Sequence, residues 1–240
     1  MAFYKFADRI FELRNKYSYT EKLCENYSVP NQTPNYVIEV NEEEIMAEKI
    51  NDASSYSLPY LESLAIYRKI AENLAFEDCF LMHAAVIEYE GSAYAFAAKS
   101  GTGKTTHISL WQKAFGDKVR IVNGDKPLVR RVFRNGACEF IVYGTPWCGK
   151  ERQNENISVP LRAICILCRS EENSIEDAGE EAVPLLLQQM LVKKDKKYLD
   201  ALMSFIDSIV TNLPIYCLGV NMDISAAFTA RDGITAVGGK

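Results

Sequence analysis

Residues 92–116 read SAYAFAAKSGTGKTTHISLWQKAFG, and the fold class turns on how they are read. SAYAFAA (92–98) is a small, apolar run of strand character. TTHISLWQKAFG (105–116) reads as a helix, with Gly116 as its stop. Between them, AKSGTGKT (98–105) matches the Walker A pattern except that Ala98 stands at the first glycine position. Gly101 and Gly103 permit the backbone angles that aim several N–H groups at one anion. The start of the following helix adds its partial positive charge. Ser100, Gly101, Thr102, Gly103, Lys104, Thr105 and Thr106 are therefore the candidate nucleotide-binding residues. Lys104 would reach the β- and γ-phosphates, and Thr105 would offer its hydroxyl to Mg²⁺.

Working outward, CFLMHAAVIEYE (79–90) is strand-like and turns back into the loop strand at Glu90-Gly91. KVRIVNGD (118–125) reads as a further buried strand ending on Asp125. A carboxylate there can face the loop and hold Mg²⁺; the alternative is a turn aspartate ahead of Lys126-Pro127. PLVRRVFRNGACEFIVYGTP (127–146) predicts a hairpin turning at Asn135-Gly136, and LRAICILCR (161–169) a core strand. An acidic surface stretch (171–181) precedes two helices within 183–212, broken near 193–197. LPIYCLGV (213–220) is a late strand, 221–234 a final helix, and the tail AVGGK is expected to be disordered. Hairpins mixed with strand–helix alternation predict an α/β core built on a mixed sheet, spanning 79–240.

Residues 1–78 have a different texture. YVIEV (36–40) reads as a strand, 41–55 as a polar, acidic stretch, and SLPYLESLAIYRKIAENLAF (57–76) as an amphipathic helix with Pro59 in its first turn. A small α+β N-terminal subdomain is expected, without a phosphate-binding signature.

Composition bounds the function. The 240 residues carry a net charge of −5, with 48% hydrophobic and 25% charged residues. A sequence-independent nucleic-acid binder needs a cationic excess, so that class is disfavoured. No apolar run reaches the ~18–20 residues of a membrane helix. Seven cysteines form no framework, and the chain's first residues lack an apolar signal core; a cytoplasmic protein with reduced thiols is expected. Cys165 and Cys168 form a lone CxxC without a second pair for zinc, and read as core thiols. The two histidines, His83 and His107, bracket the glycine loop.

HAAVIEYEGSAYAFAAKSGTGKTTH (83–107) followed by VNGDKP (122–127) resembles the catalytic domain of HPr kinase/phosphorylase and is similar to the nucleotide-binding core of phosphoenolpyruvate carboxykinase. The closest likeness is to small HPr-kinase-like proteins with SGTGKTTH, DDKP and GTPW blocks, some of which accompany peptide-modification systems. The resemblance is close over about 79–170 and does not cover 1–78. It implies a P-loop core of the HPr kinase/carboxykinase type, ATP and Mg²⁺, and a possible homo-oligomer. Residue by residue, it places Lys104 and Thr105 on the phosphate and metal, Asp125 on the metal, and His83 beside the γ-phosphate. The family's first acid, its general base, falls here on Gly124. Asp125 then takes both roles, another residue serves, or catalysis is impaired.

GTPWCGKERQ (144–153) is the second dense block. A glycine-bearing loop with Lys150 and Arg152 would suit contact with a transferring phosphoryl group; the alternative is a surface hairpin with solvated charges and a packed Trp147. Arg130, Arg131 and Arg134 form either a small patch for an acidic substrate or a wet face. His107 is expected beside the nucleotide or facing solvent. The function expected is phosphoryl transfer from Mg-ATP to a hydroxyl of a peptide, protein or small molecule, with Asp125, His83 and Lys104 as catalytic residues. The competing readings are a non-catalytic nucleotide-binding regulatory module and a carboxykinase-like lyase. Neither nucleic acid nor membrane is expected as a partner.

Overall fold

The computed structural model describes residues 2–49 and 56–237. The chain divides into two compact units, Met1–Cys79 and Phe80–Lys240.

In the first unit, β1 (Ala2–Phe6) and β2 (Arg9–Arg14) form an antiparallel hairpin that turns through Ala7 and Asp8, both at positive φ. Helix α1 (Ser18–Leu23) and strands β3 (Ser28–Val29) and β4 (Tyr36–Glu39) follow, giving a four-stranded sheet in the order β3-β1-β2-β4. The acidic stretch after Val40 is not wholly irregular. Asn41 and Glu44 make a reciprocal capping box (2.8 and 2.9 Å) that starts the short helix α2 (Glu42–Ala47), so local polar chemistry forms the turn of helix that periodicity misses. Residues 50–55 of that stretch lie outside the described residues. Helix α3 (Leu58–Leu74) carries Pro59 in its first turn and buries Leu61, Ile66, Ile70 and Leu74. Its Glu62 is fully buried, and the carboxylate accepts from the backbone N–H groups of Lys16 (2.6 Å) and Tyr17 (3.1 Å). A buried charge is tolerable there because charge-assisted bonds replace its water.

The second unit is mixed α/β. It contains β5 (Cys79–Leu81), β6 (Ala84–Tyr89), β7 (Ser92–Ala97), α4 (Lys104–Phe115), β8 (Val119–Asn123), β9 (Leu128–Arg134), β10 (Ala137–Tyr143), β11 (Ser158–Arg169), β12 (Ser174–Asp177), α5 (Ala182–Leu187), α6 (Lys196–Asn212), β13 (Ile215–Val220) and α7 (Ser225–Val237). The strands form one sheet in the order β5-β9-β10-β11-β7-β6-β8, with β13 also beside β11 and β12 beside β13. β7, β11 and β13 are mutually parallel, while β6 is antiparallel to both β7 and β8. The C-terminal ends of β7, β8, β11 and β13 therefore share one sheet edge, together with the start of β6. In open α/β sheets such an edge is where ligands collect.

One face of this sheet, through Ala85, Ile87, Phe96, Cys165 and Leu218, packs on Trp111 and Ile108 of α4 and Ala230 of α7. Elsewhere α6 buries Leu202, Phe205 and Ile209, and Phe205 meets Phe80 and Phe140 at ring distances of 4.6 and 5.6 Å. Asp195 caps α6 by accepting from the Tyr198 N–H at 2.9 Å, which fixes the expected break between the two helices. The final helix runs to Val237, so Ala236 and Val237 of the expected disordered tail are helical; 238–240 lie outside the described residues. Cys165 is buried but Cys168 is exposed, which corrects the reading of both as core thiols: residues three apart on a strand face opposite ways. Among the described residues, no helix is long and apolar enough to cross a membrane.

Candidate functional site

Strand β7 enters the glycine loop and α4 leaves it. Gly101 (φ 79°) and Gly103 (φ 121°) occupy backbone conformations that L-residues rarely adopt. Gly103 caps α4, its carbonyl accepting from the His107 N–H at 2.9 Å. The N–H groups of Lys104, Thr105 and Thr106 thus fall in the first turn, where a helix has no acceptor of its own. The Thr102 N–H is tied back to the Lys99 carbonyl at 3.2 Å. A residue that sequence reading passed over completes the loop. Arg169, at the end of the adjacent β11, donates to the carbonyl oxygens of Gly101 (2.6 Å) and Thr102 (3.4 Å). Carbonyl and N–H point oppositely across a trans peptide, so holding the Thr102 carbonyl turns the Gly103 N–H away from Arg169.

Lys104, His83 and Asp125 come together at the sheet edge. Lys104 Nζ lies 2.9 Å from His83 Nε2 and 3.3 Å from the Ala98 carbonyl. His83 Nε2 lies 3.2 Å from Asp125 Oδ1, and Lys126 Nζ donates to Asp125 Oδ2 at 2.7 Å. One imidazole nitrogen therefore faces an ammonium and a carboxylate. Bare, Nε2 accepts from Lys104; carrying the ring hydrogen, it donates to Asp125 while Lys104 turns to Ala98. The two arrangements exclude each other. Burial works to raise the Asp125 pKa, but the His83 bond and the neighbouring Lys126 outweigh it and hold the carboxyl well below its usual range. Burial lowers the Lys104 pKa, offset in part by Asp125.

The second sequence block is laced to this cluster. Asn123 is fully buried; its Nδ2 donates to the Thr145 carbonyl (2.9 Å) and hydroxyl (3.0 Å), while its Oδ1 accepts from the N–H groups of Asp125 (2.8 Å) and Lys126 (2.7 Å). Thr145 in turn donates to the Lys126 carbonyl at 2.8 Å. The chain then loops out and returns along the end of β8, where the Gly124 N–H donates to the Gln153 carbonyl at 2.9 Å. A Cβ on Gly124 would lie 2.8 Å from the Cys148 carbonyl oxygen and 3.3 Å from that of Gln153. The position at which the resemblance leads one to expect an acid is thus filled by the returning loop. Gly149 passes over Asp125: a Cβ placed on it would be 3.3 Å from Asp125 Cβ and 3.8 Å from Glu151 Oε2.

The remaining candidates divide. Ser100 and Thr106 are exposed, and Thr105 is half-buried at the helix start. Lys150 and Arg152 are both exposed, outside the Lys104–His83–Asp125 contacts described above. Trp147 and Cys148 are buried; burial, first among several influences, pushes the Cys148 thiol up to about 11, which removes it as a nucleophile at neutral pH. His107 neither faces solvent nor joins the cluster. It is buried against Phe96 and accepts from Trp111 Nε1 at 3.1 Å, and burial lowers its pKa to about 4. The arginines of the hairpin form no common patch: Arg131 reaches Ser204 and Ser208 of α6, Arg134 pairs with Glu139, and Arg130 is buried.

A family model described as SynChlorMet cassette protein ScmC matches residues 46–231, and the chain belongs to that family. The curated proteins include no match to it. Among solved structures, the chain is similar to the Hpr(Ser) kinase/phosphatase from Coxiella burnetii, at 12% identity and a TM-score of 0.37, over 66% of this chain and 93% of that one.

Proposed function

We propose that this protein binds Mg-ATP at the loop 98–106 and transfers the γ-phosphoryl group to a hydroxyl acceptor, the second unit carrying the activity. The observation that carries this reading is the Lys104–His83–Asp125 chain of contacts at the mouth of a loop whose open N–H groups suit a polyphosphate. The acceptor oxygen forms its bond to γ-phosphorus as the bond to the β-bridging oxygen breaks, leaving ADP. Asp125, held ionised, is a weak base; His83 Nε2, within reach of it, is the better-placed group to take the acceptor proton.

The residues fit Mg²⁺ held mainly by substrate. Among the described residues no cluster of three or more ligating side chains forms a cage, and Mg²⁺ commonly takes one or two carboxylates together with phosphates and water. Thr105 and Asp125 would hold it, and when bound it supplies neutralisation of the developing phosphate charge.

The packing at Gly124 favours a second reading, a nucleotide-binding regulatory module without turnover. Calorimetric titration with Mg-ATP and γ-phosphoryl transfer assays on wild type, Lys104→Ala and Asp125→Asn separate the two. Lys104→Ala should lose nucleotide binding, whereas Asp125→Asn should keep most binding and lose transfer. Tight ATP binding by the wild type with no turnover against any acceptor would sink the kinase reading; no ATP binding would sink both.

A further inference from the structure

Beside the glycine loop lies an open groove of about 590 Å³, a size suited to a small ligand or a single peptide side chain. Its walls are Ala98–Thr102, the end of β11 (Ile166–Arg169) and α5 with its exit (Leu185, Gln188, Gln189). None of the α4 residues Lys104, Thr105 or Thr106 lines it. It therefore extends from the entry side of the loop, away from the helix start.

Gln189 is the feature that asks for a ligand. It is only 4% exposed, and its Oε1 accepts no hydrogen bond from any described residue. Its backbone carbonyl accepts from the His83 N–H at 2.7 Å, so the residue is fixed directly beside the proposed reaction centre. A buried carboxamide oxygen without a donor is costly, and a protein gains by retaining one where a ligand supplies the donor. The guanidinium of Arg169 is engaged with the loop carbonyls. What remains of the lining is a neutral amide together with the apolar Ile166, Leu167 and Leu185, which suits an uncharged O–H or N–H donor on a partly apolar body.

We propose that this groove seats the phosphoryl acceptor and that Gln189 Oε1 accepts a hydrogen bond from its uncharged hydroxyl- or amide-bearing group. The proposal rests on the kinase reading above and names the acceptor's chemical class.

The test uses the full chain with Mg²⁺ and a non-hydrolysable ATP analogue. Saturation-transfer NMR follows N-acetylserine methylamide, glycerol and O-phosphoserine, which separate a peptide-like source, a polyol and an anion. At least one neutral probe should bind saturably, and O-phosphoserine should not. Gln189→Leu should weaken that probe at least fivefold while leaving analogue affinity within twofold. It should also raise the melting temperature, the opposite of what a structural role for Gln189 predicts. Leu185→Trp, on the half-buried rim, should block the probe by filling the groove. Failure of every neutral probe with the analogue bound, preference for the anion, or full probe binding by both variants would overturn the proposal. So would loss of analogue affinity in Gln189→Leu, which would make the groove the nucleoside's. Failure of the wild type to bind the analogue at all would instead bring down the parent reading.

Discussion

Restoring the acid that the resemblance leads one to expect at position 124 should harm this protein. A Cβ there would stand 2.8 Å from the Cys148 carbonyl oxygen, closer than carbon and oxygen approach without a bond, and 3.3 Å from the Gln153 carbonyl oxygen. Both obstacles are backbone, so no side-chain rotation relieves them. The loop must move by a few tenths of an ångström against the Gly124–Gln153 hydrogen bond and the Asn123–Thr145 lacing. Overpacking of this kind costs about 1–3 kcal/mol. At roughly 2–4 °C per kcal/mol for a unit of this size, Gly124→Ala should lower the melting temperature by about 2–12 °C. Gly124→Asp adds a charge facing two carbonyl oxygens and the Asp125 carboxylate, so it should fall further than Gly124→Ala and gain no transfer activity. Thermal unfolding by circular dichroism, paired with γ-phosphoryl transfer, checks both parts. A Gly124→Asp protein that melts with the wild type and turns over faster would refute the packing argument and show that the glycine is merely a missing base.

Other perturbations address the rest of the site. Arg169→Ala should weaken Mg-ATP binding by roughly tenfold, about 1.4 kcal/mol, in titration calorimetry, since the carbonyls of Gly101 and Thr102 lose their shared donor; Arg169→Lys should not restore it, because a point charge does not span two carbonyls as a fork does. Asp125 has a folded pKa below its ordinary value of 3.8, so its carboxylate stabilises the fold above that pH and the contribution is lost as pH falls through and below it. The melting-temperature gap between wild type and Asp125→Asn should therefore narrow from pH 7 to pH 3. His107, held near 4 against an ordinary 6.5, binds its proton more readily when unfolded, so stability on the order of 3 kcal/mol should be lost as pH falls from about 6.5 to about 4. His107→Gln keeps an acceptor for Trp111 and should flatten that acid step in chemical denaturation.

The parts of the molecule that were legible in sequence are those whose chemistry is local. Gly101 and Gly103 announce backbone angles, Asn135-Gly136 a hairpin, and Gly116 a helix end; each works within a few residues. The β1–β2 hairpin went unread because its turn pair, Ala7-Asp8, has only the aspartate as a turn residue and no glycine, although both sit at positive φ. Helix α2 hid inside what composition reads as a solvated acidic run, because a reciprocal cap is a matter of two residues rather than of periodicity. His107 illustrates the opposite error. Its place after the loop suggested a wet or nucleotide-facing ring, but the helical turn that carries it points inward to Phe96 and Trp111.

The site residues missed in sequence share a physical character: each acts across the sheet edge on a partner far away in the chain. Arg169 reaches back 68 residues to Gly101, and Asn123 forward 22 to Thr145. Sequence supplied a hint for Asn123, since Asn-Gly-Asp after an apolar strand invites a side chain that accepts from the following N–H groups. It supplied none for Arg169, which as the last residue of LRAICILCR reads as an ordinary charged strand end. Its meaning depends on β11 lying beside β7, and that neighbourhood is set by pairing register, Ile166 opposite Ala97, rather than by either strand alone. Shifting that register by one residue would turn the side chains of one strand to the opposite face and take Arg169 off the loop. The glycine loop's ability to present its N–H groups is thus a property of two strands, and a substitution that weakens the β7–β11 pairing should reduce nucleotide affinity without touching any residue of the loop.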